Sequence, residues 1–180
     1  MATQTDLPAL FNTPIQDSLP EAAVKETLIS HPFIPIPLAL NLRTISFPPH
    51  LPPNLIFRSG ALSYLPSTAL AQLKETYNIS TVFDLRSATE RKSSPSPDIP
   101  GIKTVWIPSA VDIDASVNGQ EHWRTARFNF THTDFVENNG QDGFVKMYGA
   151  VLETHREPYK AVFETLRDGE GGVLFHCTGS

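Results

Sequence analysis

Val173-Leu174-Phe175-His176-Cys177-Thr178-Gly179-Ser180 is the stretch on which the reading of the chain turns. Val173 to Cys177 is a continuous, largely apolar run, of the kind a strand shows when a parallel sheet buries both its faces. Small residues follow at once, and Gly169, Gly171 and Gly172 precede the run, closing a helix pattern. Ligands of such sheets bind beyond the carboxyl ends of the strands. Cys177 therefore stands where chemistry is expected. A strand-end cysteine taken alone reads more readily as a buried structural thiol, so the neighbouring segments have to decide.

Working back from that strand, two helix patterns appear. One begins at Asp142, with Phe144, Val145, Tyr148, Val151 and Leu152 apolar; the other follows Pro158, with Tyr159, Val162, Phe163 and Leu166 on one face. Residues 108–140 are long, polar and weakly patterned, which predicts a lid or an insertion. Lys103-Thr104-Val105-Trp106-Ile107, stopped by Pro108, reads as a strand, and so does Thr81-Val82-Phe83-Asp84-Leu85. Ser67 is expected to cap a helix running to about Tyr77, with Leu70, Leu73 and Tyr77 on one face. Leu55-Ile56-Phe57-Arg58 is a further strand, ended by Ser59-Gly60. This alternation predicts an α/β fold with a mainly parallel central sheet flanked by helices.

Residues 32–53 hold Pro32, Pro35, Pro37, Pro48, Pro49, Pro52 and Pro53, seven of the sixteen prolines. Such a segment favours extended backbone and cannot sit in a central strand. It reads as a stiff wrapping segment, although its PxxP spacings also suit a partner's aromatic groove. A modest helix is expected around Glu21 to Ile29. Residues 1–40 are expected to form an N-terminal extension, partly Pro-rich, and residues 41–180 one domain.

With 180 residues, 40% of them hydrophobic, the chain can bury one ordinary core. A formal net charge of −5 gives no broad basic face for nucleic acid or anionic membrane. Met1 to Leu10 has no secretory pattern, and Phe33 to Leu42 is too short and too Pro-broken to span a bilayer. A single cysteine excludes an internal disulfide and suits a cytoplasmic or nuclear setting. The sequons at Asn78 and Asn129 are weak patterns that need a secretory route to matter. His31, His50, His122, His132 and His155 have no metal-ligand spacing, so no metal is expected.

Arg58-Ser59-Gly60-Ala61-Leu62, then Asp84-Leu85-Arg86-Ser87 with Glu90 three residues on, then His176-Cys177, occur in an order that resembles one group of proteins. That group is the tyrosine-phosphatase-like family, the microbial and fungal branch of the cysteine-dependent protein tyrosine phosphatase superfamily. Asn41-Leu42-Arg43 looks like the start of its opening segment, Met147-Tyr148 also fits, and the resemblance spans residues 40–180. It implies hydrolysis of phosphate monoesters through a phosphocysteine intermediate. The substrates would be phosphotyrosine or other phosphoproteins, with phosphoinositides a further option, and no cofactor is needed.

Such a site needs a thiolate, inward-pointing backbone N–H groups to hold the phosphate oxygens, and an arginine to grip the phosphoryl group. By the resemblance, Cys177 is the nucleophile, and Thr178, Gly179 and Ser180 curl round the anion. His176 orients the loop and tunes the thiolate. Arg58 and Arg86, at strand ends, either attract the anion or pair with Asp84 or Glu90. Asp84 is the nominated proton donor, with a buried ion pair or a turn cap as the other reading.

The sequence departs from the family's loop, which runs from Cys through five residues to Arg. Gly179 and Ser180 stand where Ala and Gly are usual, and the sequence stops there. The expectation is an incomplete domain, truncated within its active-site loop and lacking the C-terminal helices. Residues 1–180 alone are then expected to be nearly inactive and poorly soluble, since one face of the sheet is uncovered. Two other readings are a non-catalytic phosphate-binding or interaction module and a rhodanese-like sulfur transferase.

Overall fold

The computed structural model describes residues 14, 17–45, 50–118, 131–169 and 171–179. Met1 to Leu10, Pro48, Pro49, His122, the Asn129 sequon and Ser180 lie outside them. The elements, in chain order, are α1 (Glu21–Leu28), β1 (Arg43–Thr44), β2 (Ile56–Ser59), α2 (Ser67–Glu75), β3 (Ile79–Asp84) and α3 (Ala88–Ser93). Then come β4 (Lys103–Val105), α4 (Ala110–Asn118), α5 (His132–Val136), a 3-10 turn (Glu137–Gly140), α6 (Gln141–Thr154), α7 (Arg156–Asp168) and β5 (Gly172–His176).

The five strands form one sheet in the order β1-β2-β5-β3-β4. The pairs β2–β5, β5–β3 and β3–β4 are parallel, and only β1 runs antiparallel, against β2. This is the mixed, mostly parallel α/β sheet that the alternation predicted. The proline-rich segment keeps to its edge: Pro32 accepts from Thr44 N–H at 3.0 Å, and Phe33 bridges Arg43. It is nevertheless part of the packing, because Ile34 and Ile36 are buried in the main core.

Side chains alternate across the pleat, and the two faces of the sheet differ. One face carries Phe57, Val82 and Leu174 against Leu70 and Leu73 of α2, with Leu42 and Leu62 closing the cluster. The other carries Phe83, Val173 and Phe175 against Val162 and Leu166 of α7. On this second side Ile45, Ile56, Leu152, Tyr159, Val162, Phe163, Leu166 and Phe175 line an apolar groove of about 360 Å³.

Three expectations need correction. Ser67 does not cap α2 but is its first helical residue, with Pro66 in the cap position; proline supplies a fixed φ and no N–H to satisfy. Residues 108–140 are not patternless, since α4 and α5 lie within them, and 119–130 fall outside the described residues. The apolar positions of α6 do not face a core: Phe144, Val145, Tyr148 and Leu152 are all more than half exposed. Instead α6 seats Gly143 against the Phe135 ring of α5, and Phe144 meets that ring edge-on at 5.5 Å.

The turn into β5 depends on Gly171, whose φ is +98°. A Cβ there would lie 2.9 Å from the Asn78 carbonyl oxygen, at the level where Gly172 N–H bonds that same oxygen. Gly171→Ala is therefore expected to cost about 1–3 kcal/mol. Urea unfolding would show this as a lower midpoint at unchanged slope, and an unchanged midpoint would refute it.

Candidate active site

The carboxyl ends of β2, β5 and β3 lie side by side, because Ser59 is in register with His176 and His176 with Asp84. Their continuations are laced together. Leu85 N–H donates to His176 O at 2.9 Å, Ala61 N–H to Thr178 O at 3.1 Å, and Gly60 N–H to Leu40 O at 2.8 Å. The central strand therefore delivers Cys177 to the end of the sheet, flanked by chain on both sides. Cys177 is exposed there, not buried as a structural thiol would be.

Under this surface lies a polar cluster reached from the ends of β3 and β5 and from Trp106 beyond β4. The side chain of Asp84 has no exposed area. Its Oδ1 accepts from Arg86 N–H at 3.0 Å and Arg86 Nε at 2.9 Å. Its Oδ2 accepts from Arg86 Nη2 at 2.8 Å, from Arg91 Nε at 3.1 Å and from the Ser96 hydroxyl. Burial by itself would raise the Asp84 carboxyl, but the bonds from Arg86 and Ser96 outweigh it and hold the group well below the usual carboxylate range. Of the two readings open for this pair, the structure has the buried ion pair. Trp106 completes the cluster, donating from Nε1 to Arg86 O at 2.9 Å while its ring carries the Arg91 guanidinium at 4.6 Å.

His176 faces the same cluster. Its Nδ1 is 3.2 Å from the Cys177 carbonyl oxygen, which fixes the proton on that nitrogen, and Nε2 lies 3.9 Å from Asp84 Oδ1 with no hydrogen-bond partner. Burial pushes the imidazole's pKa down, against the upward pull of Asp84. The ring is thus held neutral with an unshared lone pair turned to a carboxylate.

Cys177 follows His176 and lies toward the α7 side. Tyr159 is close enough for the thiolate's charge to act on its phenol, whose pKa is raised first by burial and then by Cys177. Arg58 is on this side too, in register with Phe175 and two residues beyond Ile56 of the apolar groove. Arg43 feels its charge, since burial first and Arg58 second lower the Arg43 pKa. The nominated residues therefore fall into two groups. Cys177 and Arg58 are toward α7, while Asp84, Arg86 and His176 are on the α2 face. Ser180 lies outside the described residues.

Two further side chains complete the arrangement: Glu90, expected only as an alternative partner of Arg58 or Arg86, and Asp112, which was given no role. Glu90 of α3 accepts the Thr178 hydroxyl, and Asp112 of α4 accepts Ala88 N–H at 2.9 Å, at the start of α3. Both sit in S-x-x-D/E capping patterns, Ser87 to Glu90 and Ser109 to Asp112, and that pattern was the readable signal. Among the described residues no group of three His, Cys, Asp or Glu side chains is placed to hold a metal ion. No helix among them is long and apolar enough to cross a membrane.

No curated protein matches the chain. A model of the tyrosine phosphatase family matches residues 35–179, a span that includes the sheet, the buried ion pair and the exposed thiol at the end of β5. The chain belongs to the tyrosine phosphatase family.

Proposed function

We propose that the chain acts as a cysteine-dependent phosphatase, with Cys177 as nucleophile. The observation that carries this reading is an exposed thiol immediately beyond the carboxyl end of the central parallel strand, in a chain of this family. The thiolate attacks phosphorus in line, the phosphorus–oxygen ester bond breaks as the leaving oxygen takes a proton from solvent water at the open site, and a second water then cleaves the phosphocysteine to release phosphate and the thiol. Backbone N–H groups of Thr178 and Gly179 are the donors proposed for the phosphate oxygens, and Arg58 adds positive charge on the Cys177 side. The substrate class is a phosphotyrosine- or other phosphoprotein, or a phosphoinositide. A lone thiol nucleophile needs a reducing compartment. Sulfur transfer has no support from the family match.

Asp84 is not proposed as proton donor. A carboxylate held ionised, without exposed area and with both oxygens engaged, has neither a proton to give nor a path to the leaving oxygen. Its proposed role is to hold Arg86 and the end of β3 in place beneath the thiol.

The purified protein is expected to show slow, vanadate-sensitive hydrolysis of p-nitrophenyl phosphate, and Cys177→Ser to abolish it. Hydrolysis that survives in this variant would overturn the reading. Asp84→Asn is expected to destabilise the fold by about 3–5 kcal/mol, since it leaves Arg86 buried without its counter-charge. It should also alter the pH dependence of stability. Asp84 ionises more easily folded than unfolded, so its contribution is complete above about pH 4 and is lost as pH falls further. Neutral His176 acts in the same direction, because only the unfolded chain gains its proton as pH drops below about 6.5. Chemical denaturation from pH 7 down to pH 3 checks this: a variant that loses stability on acidification as steeply as the parent would rule Asp84 out as the acid-sensitive group.

A further inference from the structure

We propose that Glu90 is a positioning residue for the Cys177 loop, an inference that rests on the phosphatase reading and deepens it. In an ordinary capping box the acidic side chain turns back to its own helix start. Here that task takes only one oxygen. Glu90 Oε2 accepts from Ser87 N–H at 3.1 Å and from the Ser87 hydroxyl at 2.7 Å. Oε1 is left to accept the hydroxyl of Thr178, 88 residues further along the chain. One carboxylate thus joins the turn after β3 to the turn after β5.

The tie falls on the residue next to the nucleophile. Thr178 is fastened twice, by its carbonyl to Ala61 N–H and by its hydroxyl to Glu90. On the other side of the thiol, the His176 carbonyl is held by Leu85 N–H. Cys177 is therefore spanned between two anchored residues, and the direction of the Thr178 N–H, a proposed phosphate donor, follows from the Glu90 bond. With its hydroxyl engaged, Thr178 serves the anion through its backbone.

Charge alone would argue for the opposite arrangement. Burial would raise the Glu90 carboxyl, yet the bonds from Thr178 and Ser87 lower it on balance, so a negative group stands beside a site meant for a thiolate and a phosphate. That charge opposes both. The geometric tie is what the carboxylate contributes, and the two effects have opposite signs. Removing a repelling charge would favour attack by the Cys177 sulfur. Releasing the loop would disfavour it, because Thr178 and the N–H groups proposed to face the anion would no longer be fixed beside it.

The test is the rate of Cys177 alkylation by iodoacetamide at pH 7, which follows the thiolate fraction and needs no turnover. It is run on the full chain with Glu90→Ala, Glu90→Gln, Thr178→Val and the Glu90→Ala/Thr178→Val double variant. Glu90→Ala is expected to slow alkylation by about threefold or more. Glu90→Gln, which removes the same charge but keeps an oxygen for Thr178, should stay closer to the parent. Thr178→Val, which breaks the bond but leaves the repelling charge, should be slowed at least as much as Glu90→Ala, and the double variant should match Glu90→Ala, since the bond is already broken there. Alkylation that is faster or unchanged in Glu90→Ala overturns the proposal. If that variant does not fold, the exposed Thr178→Val change decides in the same way. Failure of the underlying reading looks different: parent Cys177 would alkylate no faster than free cysteine and gain no protection from orthovanadate.

Discussion

The buried carboxylate of Asp84 is the constraint around which the carboxyl end of the sheet is organised. It terminates β3, neutralises one buried guanidinium and one half-buried one, and stands opposite the ring of the residue that precedes the thiol. Removing such a charge from water is expensive, and pairing repays it only when geometry is complete. Here both oxygens are filled by donors from three separate places in the chain: the turn after β3, helix α3 and the extended segment at Ser96. Each of those places is therefore fixed relative to β3. Because β3 pairs with β5, each is fixed relative to Cys177 as well.

The division of labour between the two sheet faces follows from the pleat. Consecutive residues of β5 serve opposite faces, so His176 belongs with the ionic cluster and Cys177 is turned toward α7, Tyr159 and Arg58. A single step along the chain thus separates a group that is wholly buried from one that meets solvent. Cys177, the proposed nucleophile, inherits a rigid base from one side and an open approach on the other.

The sheet was largely legible from the sequence, because its strands carry runs that little else explains: Ile56-Phe57, Val82-Phe83 and Val173-Leu174-Phe175 are all too apolar for loops. The parts that escaped reading are short or non-local. β1 has two residues, and α3 has six with no apolar stripe, so no periodicity could reveal either. Only the Ser87–Glu90 capping pattern marked α3. Cys177 could be placed by its position after a buried strand, and Asp84 and Arg86 could be paired as neighbours. That Asp84 is sealed from solvent was not readable, since the donors Arg91 and Ser96 come from a helix and an extended segment whose path over the strand end is a tertiary fact. The link from Glu90 to Thr178 is hidden for the same reason.

The strand order has a consequence for how the molecule is made. β5 is the middle strand of the sheet and follows the other four described strands along the chain, and it lies between β2 and β3, which do not pair with each other. Ser80 and Gly172, which bond across β3 and β5, are 92 residues apart. As the polypeptide leaves the ribosome, β2 and β3 wait with unfilled edges until β5 emerges, and no partial sheet through both can form before then. Assembly is consequently tied to long-range pairing, which is intrinsically slow. The segment that joins β2 to β3 is also the one that brings the thiol, so an emerging chain cannot hold Cys177 in place before those two strands are linked.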